Sequence, residues 1–252
     1  MNRYLIDLHI HTLLSPCGDL EMSPEVIIRR AVETGLDAIA ICDHNTMRQV
    51  ETVRVVGERY GIRVFRGIEL TTREEAHCVA ILPDTESSER LQEWVDIHII
   101  KVPNVPDKFG DQMWIDEDEN IAGEVEWYLN SPIDKSVEEI ASKIEELGGL
   151  FVPAHVDRQS NSLIGQLGFI PPSLPVSAIE YNFKDKVDLL RSKGHKYLNK
   201  YNLYTASDAH FPHLIGTNPS WLYAQSRTFE ELKKAFAGED GRKIVSRLEE
   251  IE

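Results

Sequence analysis

Cysteine is scarce in this 252-residue sequence: Cys17, Cys42 and Cys78 are the whole set, and no CxxC occurs. So scattered a trio excludes a disulfide framework and implies a reducing, cytoplasmic setting. Basic residues are few as well. The 27 Lys and Arg face 42 Asp and Glu, for a net charge of −15. Phosphate backbones are held by clustered Lys and Arg, so this balance predicts no long nucleic acid among the partners. No run of about eighteen apolar residues occurs, which predicts no membrane span. The first residues lack a basic stretch followed by an apolar one, which predicts no secretory signal. A glycine-rich phosphate loop of the GxGxxG or GxxxxGK[ST] kind is missing too. What remains is 42% hydrophobic residues, enough for one large α/β barrel or two small domains.

Tyr4, Leu5 and Ile6 read as a short buried strand running into Asp7-Leu8-His9-Ile10-His11. Residues i and i+2 of a strand share a face, so His9 and His11 project together from its C-terminal end. Two imidazoles on one face make half of a metal site. Ser23-Pro24-Glu25 starts a helix, with a capping Ser, Pro at the first helical position and an acid in the first turn. It stops at Gly35. Residues 37–42 are an apolar strand ending in Asp43-His44-Asn45. A helix over 46–60 buries Val50, Val53 and Val56, and a strand over 62–65 leads to Gly67-Ile68-Glu69. Residues 77–82 form a further strand, with His77 at its start.

Residues 83–135 are irregular. A helix over 91–100 and two short strands within 114–127, around the acidic turn 116–120, are all they suggest. The segment reads as an insertion or lid in a single domain spanning 1–252. Regularity returns with the capping box Ser136-Val137-Glu138-Glu139. A strand over 150–154 ends in His155, another covers 176–181, and a short helix covers 184–193. The last apolar strand, 203–206, ends in Ser207-Asp208-Ala209-His210, and a final helix opens at Thr228. About seven alternating strand–helix units predict a parallel sheet. Polar residues at the strands' C-terminal ends match the active-site rim of a (β/α) barrel. A doubly wound open sheet is the alternative.

His9, His11, Asp43, His44, Glu69, His77, His155, Asp208 and His210 thus gather at strand ends. The stretches Asp7-Leu8-His9-Ile10-His11-Thr12, Cys42-Asp43-His44-Asn45, Gly67-Ile68-Glu69, Pro153-Ala154-His155 and Ser207-Asp208-Ala209-His210 resemble the four motifs, plus the bridging Glu, of the PHP (polymerase and histidinol phosphatase) superfamily. The resemblance covers residues 4–82 and 150–215. It implies a distorted seven-stranded (β/α) TIM-like barrel, two to three divalent metals (Zn, Mn or Fe) and phosphoesterase activity. His9, His11, Glu69 and Asp208 match ligands of one metal; His44 and His210 match two ligands of a second. Glu69 would bridge to a third, with His77 and His155. The attacking hydroxide would then be held on metals bound by Glu69, Asp208 and His44. The second metal's remaining ligand differs from the common pattern. Counted back from Pro24, Asp19 falls on the family's Asp and is the expected ligand. Counted forward from His11, Cys17 comes nearer.

Arg158, three residues after His155, falls where phosphate-specific relatives carry a basic residue and is expected to bind substrate. His213 is a second candidate contact. The expected reaction is hydrolysis of a small phosphorylated metabolite or nucleotide. Hydrolysis of a C–N or C–O bond at the same metals, or a non-catalytic scaffold, are the alternatives. Oligomeric state is left open.

Overall fold

The computed structural model of the chain describes residues 1–249. Strand β1 (Asn2–Ile10) enters the core directly, with its last six residues buried. Helix α1 (Pro24–Glu33) follows, with Val26 N–H donating to the Ser23 hydroxyl at its start. It buries Ile27, Ile28 and Ala31, one face of a 3.6-residue period. Strand β2 (Ala38–Ile41) is buried on both faces, which explains its unbroken apolar run. Helix α2 (Val50–Tyr60) ends on Gly61 at φ 73°, a conformation that suits glycine.

Strands β3 (Arg63–Thr71) and β4 (His77–Leu82) depart from the expected all-parallel arrangement: they pair antiparallel. Only residues 72–76 join them. A parallel pair needs a crossover of about a dozen residues or more, so this link permits only a hairpin. Next come helices α3 (Thr85–His98) and α4 (Pro106–Phe109) and the hairpin β5 (Met113–Ile115) and β6 (Ile121–Glu124). Helix α3 starts earlier than expected because Asp84 caps it, accepting from Ser87 N–H. Val125 and Leu129, with Trp114 and Trp127, pack on Leu14 in the loop after β1. Residues 83–135 are thereby tied to the rim that β1 feeds.

Helix α5 (Val137–Glu146) carries the complete capping box of Ser136 and Glu139. After it come β7 (Leu150–Pro153), α6 (Leu163–Leu167), β8 (Ile179–Tyr181), α7 (Lys184–Ser192) and β9 (Leu203–Thr205). The chain continues through β10 (Ser220–Ala224), α8 (Phe229–Ala237) and β11 (Lys243–Ser246). The sequence reading passed from the strand over 203–206 to the helix at Thr228 without marking β10 between them. Its alternation of buried and half-buried residues is a strand pattern that passed unused.

The seven-stranded sheet runs β11-β10-β1-β2-β3-β4-β7, and β8 and β9 form a separate parallel pair. Single bridges, Phe151 to Val176 and Ile10 to Ala209, link the flanks to that pair's side. The result is a curled, seven-stranded half-barrel, consistent with the distorted barrel expected; among the described residues no continuous ladder joins the two sheets to close it. Because β4 runs against β3 and β7, its N-terminal His77 arrives at the same rim as the C-terminal ends of β1, β2, β3 and β7. One apolar cluster, including Ile27, Ile39 and Val53, packs sheet against helices; a second, including Ile6, Leu8, Phe65 and Tyr204, fills the concave side.

Candidate metal centre

Glu69, at 1% exposure, is the hub of the rim. Its Oε1 lies 2.9 Å from His77 Nδ1 and 3.0 Å from His155 Nε2. Its Oε2 lies 2.9 Å from His44 Nδ1 and 3.4 Å from His11 Nε2. Asp208 faces it across the cleft, with Oδ1 3.1 Å from His11 Nε2 and 3.5 Å from His9 Nε2. His210 stacks on His11 with ring centroids 4.0 Å apart. Backbone strain accompanies these placements. His155 (φ 29°) and Asp208 (φ 49°) hold left-handed conformations that non-glycine residues adopt at a cost, usually where function over-determines them.

The tautomers follow from the surrounding hydrogen bonds. His9 Nδ1 lies 2.9 Å from the buried carboxylate of Glu180, so Nδ1 carries a proton. His11 Nδ1 meets Ser15 Oγ at 3.0 Å. The Ser15 hydroxyl donates its one proton to Asp43 Oδ1 at 2.7 Å, so it accepts from His11 Nδ1–H. Both Nε2 atoms of the neutral rings therefore present lone pairs, and they face each other at 3.2 Å. Glu69 and Asp208 aim further lone pairs at the same space. Such convergence is repulsive unless a cation sits within it.

Charge behaviour agrees. Burial opposes charge on His9, but Glu180, Glu69 and Asp208 outweigh it and raise its pKa well above the usual value, the mark of a site that draws positive charge. Burial lowers His11, and His210 and His44 lower it further. Burial would raise Glu69, yet His77, His9 and His44 hold its carboxyl well below the usual range. His9 and His11 do the same for Asp208 against its burial. His44 Nδ1, Glu69 Oε2 and His155 Nδ1 are buried without a hydrogen bond of acceptable geometry. Each such orphan costs about 1–3 kcal/mol. Three groups, His9–His11–Glu69–Asp208, His11–His44–His210 and His44–Glu69–His77, have donor atoms close enough to hold an ion. Imidazole nitrogen and carboxylate oxygen suit Zn²⁺, Mn²⁺ or Fe²⁺, so the donor set fits divalent transition metals.

The other candidates lie outside the three donor groups. Asp19 joins none of these groups; its Oδ1 accepts from Glu21 N–H at 2.8 Å within its own turn. Cys17 lies at the cleft mouth, with Sγ 3.9 Å from Asn130 Nδ2. Arg158 lines the cleft and pairs with Asp208 Oδ2 at 2.6 Å. His213 sits exposed on a short 3-10 turn beside Phe211, away from the cleft lining.

Sequence reasoning passed over Glu180 and Ser15, and gave Asp43 no role of its own. Asp43 is buried and accepts from Thr12 N–H, Thr12 Oγ1–H and Ser15 Oγ–H, each at 2.7 Å. Glu180 had a usable signal, a lone carboxylate between Ile179 and Tyr181 in a buried strand. The cleft above the cluster measures about 450 Å³, and Tyr128, Asn130 and Pro132 from the irregular segment form part of its wall.

Known proteins resemble the chain in sequence and in fold. The model of the PHP domain matches residues 7–156, more than half of the chain. An uncharacterized protein of Bacillus subtilis, YqxK, is 34% identical over 113 residues, covering 42% of this chain and 28% of that protein. A 5'-3' exoribonuclease of Haemophilus influenzae is 30% identical over 76 residues, covering 30% of this chain and 27% of that protein. The chain thus matches less than a third of the length of these curated relatives. Among solved structures, the lesion-specific endonuclease PfuEndoQ from Pyrococcus furiosus superposes with a TM-score of 0.75 at 21% identity, over 96% of this chain and 58% of that one. Endonuclease Q in complex with a 27-mer duplex superposes at 0.73, with the same identity and coverage.

These findings overturn the expectation that long nucleic acid is excluded as a partner. A relative by sequence is an exoribonuclease, and a protein of this fold is seen on a DNA duplex. The physical error lay in reading a local property from a global sum. Net charge counts buried carboxylates such as Glu69, Asp208 and Glu180, which never face a ligand's phosphates as bare surface charge. Among the described residues, no helix is long and apolar enough to cross a membrane.

Proposed function

The chain belongs to the PHP domain family, and from that premise we propose that it is a metal-dependent phosphoesterase cleaving phosphodiester bonds of nucleic acid. The observation that carries this reading is the pair of facing lone pairs on His9 and His11, closed off by Glu69 and Asp208 beneath an open cleft. His9, His11, Glu69 and Asp208 would hold one cation. His44 and His210, with His11, would hold a second. Glu69, His77 and His155 would hold a third. Bound divalent metals supply Lewis acidity and a nucleophile drawn from water, so no Ser or Cys nucleophile is required.

The protein's own residues do the rest. Glu180 fixes the His9 ring and Asp43, through Ser15, fixes His11, so that both Nε2 atoms aim inward without reorganising. Glu69 offers its two oxygens to different sides of the cluster. Arg158 is 41% exposed on its side chain and pairs with Asp208 Oδ2, so its guanidinium can turn to a non-bridging phosphate oxygen. Tyr128 and Asn130 line the same cleft.

A second reading is favoured by the cleft's size. About 450 Å³ matches a single small ligand, so a free nucleotide or small phosphorylated metabolite also fits. The deciding experiment incubates metal-reconstituted protein with end-labelled oligonucleotides, bis(p-nitrophenyl) phosphate and p-nitrophenyl phosphate. The expected result is cleavage of the oligonucleotide and the diester, abolished by EDTA and restored by metal. Turnover of the monoester alone would favour the small-metabolite reading, and turnover of amides alone would reject phosphoester chemistry.

A further inference from the structure

Acidic residues dominate the chain, but residues 184–200 reverse the balance, with six Lys and Arg against two Asp. Asp188 pairs with Arg191 at 2.8 Å, which leaves five Lys against Asp185. The segment comprises α7 and the 3-10 turn Lys196–Lys200. Against α7 lies a second groove, of about 470 Å³, lined by Asp157, Arg158, Ile164, Lys186, Leu189 and Lys193 among others. Arg158 lines both this groove and the cleft above the cluster, so the two cavities adjoin at this residue.

The groove's charge is available to a ligand. Its one carboxylate among the lining residues, Asp157, already accepts from Asn182 N–H and Phe183 N–H, both at 2.9 Å. Lys186 and Lys193 are exposed and seven residues apart, about two helical turns, which aligns them roughly 10 Å apart along one face. Phe183, which the Asp157 carboxylate fixes in place, is 52% exposed, with Lys186 Nζ 4.3 Å from its ring centroid. A lysine-studded helix face alone would be ordinary solvated surface. Its convergence with Arg158 on a groove that adjoins the cleft above the cluster points instead to an extended polyanion. An aromatic side chain beside a cationic groove is the composition that holds single strands, phosphates on the cations and bases on the ring.

We propose that this groove is a track for single-stranded nucleic acid, holding backbone phosphates on Lys186 and Lys193 while the scissile phosphate lies beyond Arg158 in the cleft. The inference rests on the phosphodiesterase reading of the cleft and extends it. The substrate is then a strand, gripped outside the catalytic centre, and not an isolated nucleotide.

The test uses metal-reconstituted full chain and a fluorescent phosphorothioate oligothymidylate of about twelve nucleotides. Binding is followed by anisotropy between about 50 and 200 mM salt. Hydrolysis of bis(p-nitrophenyl) phosphate is measured in parallel. The double variant Lys186→Glu/Lys193→Glu should weaken binding about tenfold or more, and Lys186→Gln/Lys193→Gln less so. The slope of log affinity against log salt for the Gln pair should be shallower by about 1.4, two phosphates' worth. Turnover of the small diester should match the parent in both variants. Unchanged oligonucleotide affinity would overturn the proposal, as would a parent that does not bind the strand or that prefers a duplex of equal length. An equal fall in small-diester turnover would also overturn it, by placing the lysines in the catalytic centre. If the parent leaves the small diester intact, the phosphodiesterase reading fails, while the anisotropy data still decide whether the groove takes a strand.

Discussion

His9 Nε2 and His11 Nε2 face each other at 3.2 Å, each bare because its ring's other nitrogen donates elsewhere. Neither ring can turn away. Glu180 holds one and the Ser15–Asp43 pair holds the other, all fully buried. The chain thus stores an electrostatic conflict that a cation resolves.

Removing Glu180 should therefore weaken metal binding although it is not proposed to touch metal. Outer partners of metal-binding histidines are typically worth about 10- to 100-fold in affinity. Glu180→Ala should show that loss in competition with a chelating dye, and Glu180→Gln a smaller one, since its amide oxygen still accepts from His9 Nδ1. Affinity equal to the parent in both variants would mean that the His9 ring is fixed by packing alone.

Asp43 offers a stability test without metal. Asn in its place keeps one acceptor oxygen and sets an NH2 group against the donors that met the other, among Thr12 N, Thr12 Oγ1 and Ser15 Oγ. Leaving buried donors unpaired costs about 1–3 kcal/mol. Denaturant unfolding of metal-free Asp43→Asn should show a loss of that order. A loss within experimental scatter would indicate that the loop after β1 reorganises freely.

Much of this was legible in the sequence, and the reasons are physical. His9, His44, Glu69, His77, His155, Asp208 and His210 each end or start an apolar run, where a polar side chain must have a partner or a task. Helix limits followed capping chemistry at Ser23, Ser136 and Thr228. Strand direction was not legible, because a period of two is the same for parallel and antiparallel pairing. Only the short link between Thr71 and His77 held that information. Glu180 escaped notice because one charge in a three-residue strand resembles an edge position, and its burial emerges only from the fold. The acidic total misled outright about nucleic acid, since the basic stretch near Lys186 is invisible in a sum.

Arg158→Ala should lower kcat/KM for phosphodiesters about ten- to a hundredfold, because a charged hydrogen bond at a partly buried site is worth about 1.5–3 kcal/mol. Metal content should not change, which separates a substrate contact from a ligand. Arg158→Lys should recover part of the loss. Parent-like kinetics for Arg158→Ala would reduce it to a partner of Asp208.

Asp19 and Cys17 can be separated by metal content. The Asp19 carboxylate caps its own turn, and Cys17 lies at the cleft mouth outside the three donor groups. Asp19→Ala and Cys17→Ser should both keep the parent's metal count. A deficit of one ion in Asp19→Ala would show that the turn from residue 18 to 21 opens on loading and delivers the carboxylate. A deficit in Cys17→Ser would assign a thiolate.

The central claim is that the buried His, Glu and Asp cluster is a multinuclear metal centre. Elemental analysis of protein reconstituted anaerobically with Fe²⁺, Mn²⁺ or Zn²⁺, then freed of excess ion, tests it most directly. The account predicts two to three ions per chain, bound by the clustered histidines with Glu69 and Asp208. It also predicts that Asp208→Asn loses at least one of them. Less than one ion per chain with every metal, in folded protein, would contradict it.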